Sequence, residues 1–204
     1  GGLTAGCWQY IGFQGVLQGT FETFAQVAQT HYGVDHLRGK WVVTAGLGGM
    51  GSAQPLALKM LEGVSLTAEV DGERALARQK AGLVDVVIED LDEALTLCLD
   101  ARDAGEALSV AWIGNAVTLL ETLLERGILP DIVTDMTSAH DALHGYQPTG
   151  VSLEGAAEMR LSDPDTLTGL SKETMVSHVK ALLEFMARGS IVFDYGNNLR
   201  SQAR

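Results

Sequence analysis

The chain has 204 residues, 46% hydrophobic and 20% charged, a balance that suits one soluble α/β domain with its own core. Its formal net charge of −12 excludes a sequence-independent nucleic-acid binder, which needs basic surface to neutralise phosphates. No apolar run approaches the roughly 20 residues that cross a bilayer, no secretory leader is visible, and the separated Cys7 and Cys98 form neither a CxxC nor a disulfide framework, so the reading is a cytoplasmic protein without membrane or nucleic-acid partners.

The sequence opens on GGLTAG without an initiator methionine, which is read as the start of a piece excised from a longer protein. Residues 14–32 carry Leu17, Phe21, Phe24 and Ala28 at steps of three and four, which predicts an amphipathic helix stopped by Gly33. Strand-like runs follow at 41–45, 64–70, 84–88, 108–113, 131–135 and 191–194. Helical patterns lie between them at 52–62, 73–81, 91–104, 116–126 and 171–188, the last with Ser171 as N-cap and Arg188-Gly189 at its end.

Strands alternating with helices of this length mean βαβ units. The predicted fold class is α/β: a doubly wound, mostly parallel, Rossmann-like sheet with an N-terminal helical segment and a long loop or lid. The expected organisation is one domain over 1–204. It divides into a helical segment 1–39, a βαβ core 40–135, a long loop 136–170 with a short helical candidate near 153–160, and a last helix, strand and C-terminal segment 171–204.

Residues 44–57, TAGLGGMGSAQPLA, place four glycines within six positions, after a strand and at the opening of a helix. Gly46, Gly48 and Gly51 satisfy G-x-G-x-x-G. The first allows the tight turn, the second lets the backbone approach a pyrophosphate, and the third allows close helix–strand packing. The helix N-terminus adds unpaired N–H groups and partial positive charge. The second strand ends in AEVD, so Glu69 is the candidate for a ribose diol and favours NAD over NADP, with Asp71 as fallback. Arg74 reaches an adenosine hydroxyl or simply pairs with an acid.

In open parallel sheets ligands lie beyond the carboxyl ends of the strands. Asn115, in Gly114-Asn115-Ala116, is a helix N-cap or a cofactor contact. Thr137, Ser138 and His140 end the 131–135 strand as turn formers or as site residues. After the last strand Tyr195 is placed to face a ring, while Asn197 and Asn198 turn the chain. His31, His36, His140, His144 and His178 show no metal spacing such as HExxH, and there is no G-x-S-x-G elbow or lysine-bearing P-loop. Cys7, Cys98, Trp8, Tyr10 and Phe13 read as packing. His140 is the sole attractive proton donor for a dehydrogenase.

The stretches TAGCWQYIGFQGVLQGTFETFA, TAGLGGMGSAQPLA, GNA, TSAHD and VFDYGNN, in this order and at these intervals, resemble urocanate hydratase (urocanase), the second enzyme of histidine degradation. The resemblance covers essentially the whole chain but matches only the central, NAD-binding part of that family. It implies a hydro-lyase that holds NAD⁺ tightly as an electrophile, not as a hydride carrier. The imidazole of urocanate attacks C4 of the nicotinamide, water adds, and NAD⁺ is released unchanged as imidazolonepropionate forms.

Carried over by position, the family's cofactor contacts fall on Gly49, Met50 and Gly51 in the loop, then on Glu69 and Arg74. They continue with Asn115 and Ala116, with Thr137, Ser138, Ala139 and His140, and with Tyr146 and Tyr195. Three positions depart from the family: Gly2 and Met136 stand where glutamine is usual, and Gln147 where an apolar residue is. The family's cysteine near the nicotinamide lies in flanking segments, so no catalytic residue is assigned in this chain. The implied partners are urocanate, those flanking segments and a second copy in the parent homodimer. Competing readings are an NAD-dependent dehydrogenase domain and a non-catalytic NAD-binding regulatory module.

Overall fold

The computed structural model describes residues 12–203, so the expectations attached to Gly2, Cys7, Trp8 and Tyr10 lie outside the described residues. Helix α1 (Gly12–Val27) runs into a π-helical turn (Ala28–Tyr32) and stops where Gly33 adopts φ 69° and donates to the carbonyls of Ala28 and Gln29. Its buried row is Val16, Thr20, Phe24 and Ala28, with Leu17 and Phe21 half-buried beside it. Thr20 fits because its hydroxyl donates to the Val16 carbonyl (2.8 Å), leaving no lone polar group in the packing.

Six strands follow: β1 (Trp41–Ala45), β2 (Val64–Glu69), β3 (Val86–Ile88), β4 (Leu108–Ile113), β5 (Ile132–Asp135) and β6 (Ile191–Asp194). They form one parallel sheet in the order β3-β4-β2-β1-β5-β6. The helices between them are α2 (Ala53–Met60), α3 (Gly72–Lys80), α4 (Leu91–Ala104), α5 (Ala116–Glu125), α6 (Leu153–Ser162) and α7 (Pro164–Ala187), and α8 (Leu199–Gln202) closes the chain. Every residue of β1 and β2 is buried, as expected of strands covered on both faces.

Alternation along β1 sends Trp41, Val43 and Ala45 to one face, against α4, α5 and α7 through Leu95, Cys98, Leu119, Leu123, Met175 and Phe185. Val42 faces the other way, against Phe24 of α1 and Leu58 of α2. Helices thus cover both faces, and the predicted doubly wound α/β class holds. Register aligns Ala45 with Ala68, Glu69 with Ile113 and Asp135 with Asp194, so the carboxyl ends of the central strands open on one edge. The chain leaves β1 towards β2 on one side and β5 on the other. That makes the end of β1 the topological switch point.

The structure corrects the expectation of a long loop over 136–170. Irregular backbone ends at Ser152, which caps α6 by accepting from the Gly155 N–H (3.0 Å). Asp163 then caps α7 by accepting from the Thr166 N–H, and Pro164 takes the first helical position, where its absent N–H costs nothing. Ser171 is therefore not a cap but a buried residue inside α7, its hydroxyl 3.4 Å from the Tyr146 carbonyl. Cys98 is fully buried, and burial pushes its thiol up to about 12, so it is a small core residue. Among the described residues, no helix is long and apolar enough to cross a membrane.

Candidate functional site

The turn after β1 is built on two glycines that admit no side chain. Gly46 has φ +89°, and a Cβ there would lie 2.7 Å from the Met136 carbonyl oxygen. A Cβ on Gly51 would lie 2.0 Å from the Gly46 carbonyl oxygen, so the helix packs onto the turn through bare backbone. Gly48 and Gly49 are the reverse case: nothing lies within 4 Å of either Cβ position. Among the described residues no acceptor meets the N–H groups of Gly48, Gly49, Met50 or Gly51. Four open amides sit at the N-terminus of α2, whose cap residue Ser52 points its hydroxyl to the Gly49 carbonyl (3.2 Å). Such an arrangement is built for an anion.

The loop is braced on both sides of Leu47, whose own side chain is fully buried. Its N–H donates to Glu69 Oε2 at 2.7 Å, and its carbonyl accepts from Arg78 Nε at 3.0 Å. Glu69, 3% exposed, also accepts through Oε1 from the Asp71 N–H (3.0 Å) and Arg74 Nη1 (2.9 Å). Three donors leave roughly one of its four or so acceptor positions for a ribose hydroxyl. Asp71 is not on the strand. It caps α3, accepting from the Arg74 N–H (3.0 Å), and pairs with Arg74 Nη2 at 3.1 Å. Beneath the loop Thr134 hydrogen-bonds Thr44 (2.8 Å) and Gln54 (2.7 Å), tying β5, β1 and α2 together in the core.

Two cavities, of about 670 and 330 Å³, share Gly48, Gly49, Arg78, Met136, Thr137 and Ser138 as a common wall. The larger extends past His140 and Tyr195 to Phe13 and Val16 of α1. The smaller covers the ends of β2 and β4, with Glu69, Arg74, Asn115, Ala116 and Tyr146 around it. Of the candidate residues named from the sequence, Met50, Gly51, His140 and Tyr195 line the larger cavity, and Gly46 the smaller. Ala139 and the fallback candidate Asp71 line neither, and Ala139 is fully buried in the core.

Asn115 is a true N-cap. Its Oδ1 accepts from the Val117 N–H (2.9 Å), and its Nδ2 donates to the Gln147 carbonyl (2.9 Å). Gln147, polar where an apolar residue was expected, donates to the carbonyls of Val151 (2.6 Å) and Ser152 (3.2 Å) and fastens the loop before α6. His140 is exposed on the wall of the larger cavity. Burial raises the Tyr195 phenol well above its ordinary value; the hydroxyl lies by Thr23, whose own Oγ1 is committed to the Gly19 carbonyl (2.8 Å).

Sequence reasoning missed the hub of the β5 end. Asp135, fully buried, accepts from the Thr137 N–H (3.0 Å), the Thr137 hydroxyl (2.8 Å) and Asn197 Nδ2 (2.5 Å). Asn197 also donates to the Thr137 carbonyl (2.9 Å), so it does more than turn the chain. His178, fully buried on α7, lies 3.9 Å from Asp135 and shares a 2.9 Å hydrogen bond with the Tyr146 hydroxyl. Burial lowers the His178 pKa, with Asp135 opposing, while burial and the Asp135 charge raise the Tyr146 phenol. The available signal was an acid at the last position of a predicted strand; nothing in the linear order paired it with residues 137, 178 and 197.

Parallel topology, a glycine turn at the switch point and an anion-ready helix start define a Rossmann-like domain of the nucleotide-binding class. The family model described as the urocanase Rossmann-like domain matches residues 12–204, and the chain belongs to that family. Among solved structures, the crystal structure of L-tryptophan dehydrogenase from Nostoc punctiforme aligns with 92% of this chain at 15% identity and a TM-score of 0.30. The chain spans 58% of that protein's chain.

Proposed function

We propose that this chain is the NAD⁺-binding domain of a urocanate hydratase, working in the cytoplasm as part of a longer, homodimeric enzyme of histidine degradation. The observation that carries the reading is the open glycine loop: four N–H groups without an acceptor among the described residues, all on residues that line the larger cavity and two of them, at Gly48 and Gly49, on its common wall with the smaller, in a chain of the urocanase family. Bound there, NAD⁺ supplies an electron sink at its nicotinamide and works as an electrophile.

The chain's part is to hold and orient. The amides of residues 48–51 take the pyrophosphate. The smaller cavity takes the adenosine, beside Glu69, Arg74, Asn115, Ala116 and Tyr146. Thr137, Ser138, His140 and Tyr195 meet the nicotinamide half in the larger cavity. Flanking segments of the parent complete the urocanate pocket and supply the cysteine, so the isolated chain binds NAD⁺ and does not turn over urocanate.

Calorimetry with NAD⁺, followed by an assay of urocanate loss, tests this. Uptake near one equivalent without turnover is the expected result. No uptake by folded protein sinks the cofactor assignment. Accumulation of NADH with small alcohols or hydroxy acids would place the domain among dehydrogenases instead.

A further inference from the structure

The chain is strongly acidic, with 26 Asp and Glu against 14 Lys and Arg, so a free cation at a candidate anion site needs a reason. Arg74 is not free: Glu69 and Asp71 both neutralise it. Arg78, one turn further along α3, differs. Among the described residues it meets no carboxylate within ion-pair distance. Its Nε is anchored on the Leu47 carbonyl at 3.0 Å, next to Gly48 in sequence. Its half-buried side chain belongs to the wall that the two cavities share.

Anchoring Nε fixes the plane of the guanidinium and leaves the two terminal nitrogens as a fork beside the four open amides. We propose that Arg78 is the cationic ligand of the bridging diphosphate of the dinucleotide, a role that rests on the cofactor reading above. The loop amides supply dipoles, and Arg78 supplies the one full positive charge. Arg74, beside the end of β2, is already neutralised by Glu69 and Asp71 and is not left free for a 2′-phosphate, which fits NAD⁺ better than NADP⁺.

The test is calorimetric titration of NAD⁺, NADP⁺ and adenosine into the full chain and its R78Q and R78K variants, at two salt concentrations, with the melting temperature of each ligand-free protein. A charge-assisted hydrogen bond lost to R78Q weakens NAD⁺ about 10- to 100-fold. It also flattens the salt dependence of binding and leaves adenosine, which has no phosphate, unchanged. R78K keeps the charge without the fork and falls between. Should R78Q not fold, R78K decides: wild-type salt dependence with weakened affinity supports the assignment, and unaltered affinity overturns it.

Wild-type NAD⁺ affinity in R78Q overturns the proposal. So does an equal loss for adenosine and NAD⁺, which marks a loop brace only, or a wild-type preference for NADP⁺ that disappears in R78Q, which assigns the arginine to a 2′-phosphate. A wild-type protein that takes up no NAD⁺ fails earlier, at the cofactor reading itself, and this inference falls with it.

Discussion

Alanine at two positions of one loop separates a glycine needed for folding from a glycine needed for binding. At Gly51 the new Cβ would lie 2.0 Å from the Gly46 carbonyl oxygen and 2.8 Å from its carbon. Gly46 cannot retreat cheaply, since its N–H is held by the Ala68 carbonyl of β2 at 2.8 Å. Overpacking costs about 1–3 kcal/mol, and a clash between two main-chain segments belongs at the upper end. In a chain of this size each kcal/mol moves the melting temperature about 2–4 °C, so Gly51→Ala should melt roughly 6–12 °C lower. At Gly48 the Cβ position is empty to 4 Å and φ is not positive, so Gly48→Ala keeps its ligand-free stability or gains a few tenths of a kcal/mol. The methyl group instead occupies space where the backbone should approach the pyrophosphate. Differential scanning fluorimetry with NAD⁺ reads both effects. At about 100 times Kd the wild type gains about 2.7 kcal/mol, and a tenfold weaker variant about 1.4 kcal/mol at the same concentration, roughly half the ligand-induced shift. A Gly48→Ala protein shifted as far as wild type by NAD⁺ would show that no phosphate approaches that backbone. A Gly51→Ala protein melting with wild type would refute the packing argument.

Burial holds His178 below its ordinary value of 6.5, so as pH falls through 6.5 the unfolded chain takes up a proton that the folded chain refuses. Stability should then drop by up to about 1.4 kcal/mol per pH unit, and His178→Gln should remove that component from melting curves recorded between pH 8 and 5; an unchanged slope in the variant contradicts it. Cys98, fully buried with its thiol pushed up to about 12, should resist alkylation until the domain unfolds, as peptide mapping at that site would read; rapid labelling of native protein would show that the α4 face opens. Asp163→Ala removes the cap of α7 and should lower the melting temperature by a few degrees, whereas an unaffected melting temperature would mean that the cap contributes nothing.

Where the local chain dictates structure, the sequence was legible. Strands β1, β4 and β6 and helix α4 fall on the expected bounds: β1 and β4, buried along their middles on both faces, read as continuous apolar runs, the half-buried edge strand β6 keeps the run Ile191-Val192-Phe193, and Gly105 ends α4 at φ 68°. Helix α7 begins seven residues before the expected Ser171, at Pro164. The segment between holds Thr166, Thr168 and Gly169, which read as loop by composition, and the Asp163-Pro164 cap went unread. The glycine turn was legible for the same local reason, since only glycine fits at 46 and 51. Residues acting through space were not. Glu69 was expected as a ribose ligand from its strand position, but its contact with the Leu47 N–H exists only once β2 lies beside β1. Asp135, His178 and Arg78 likewise gain their partners from elements distant in sequence.

The buried acids explain how so acidic a chain leaves room for the proposed anion site. A carboxylate beside a pyrophosphate would repel it unless its charge were already matched by donors. Glu69 meets two main-chain N–H groups and an arginine, and Asp135 meets an N–H, a hydroxyl and an amide. Each acid therefore turns inward and braces the loop that carries the candidate contacts: Glu69 the turn at Leu47, Asp135 the segment at Thr137. The open amides lie on residues of the larger cavity, those of Gly48 and Gly49 also on the smaller, and Arg78 stands on the wall that both share. Net charge describes the surface as a whole, whereas binding follows the local field, and here the acids shape that field by fixing backbone donors in place.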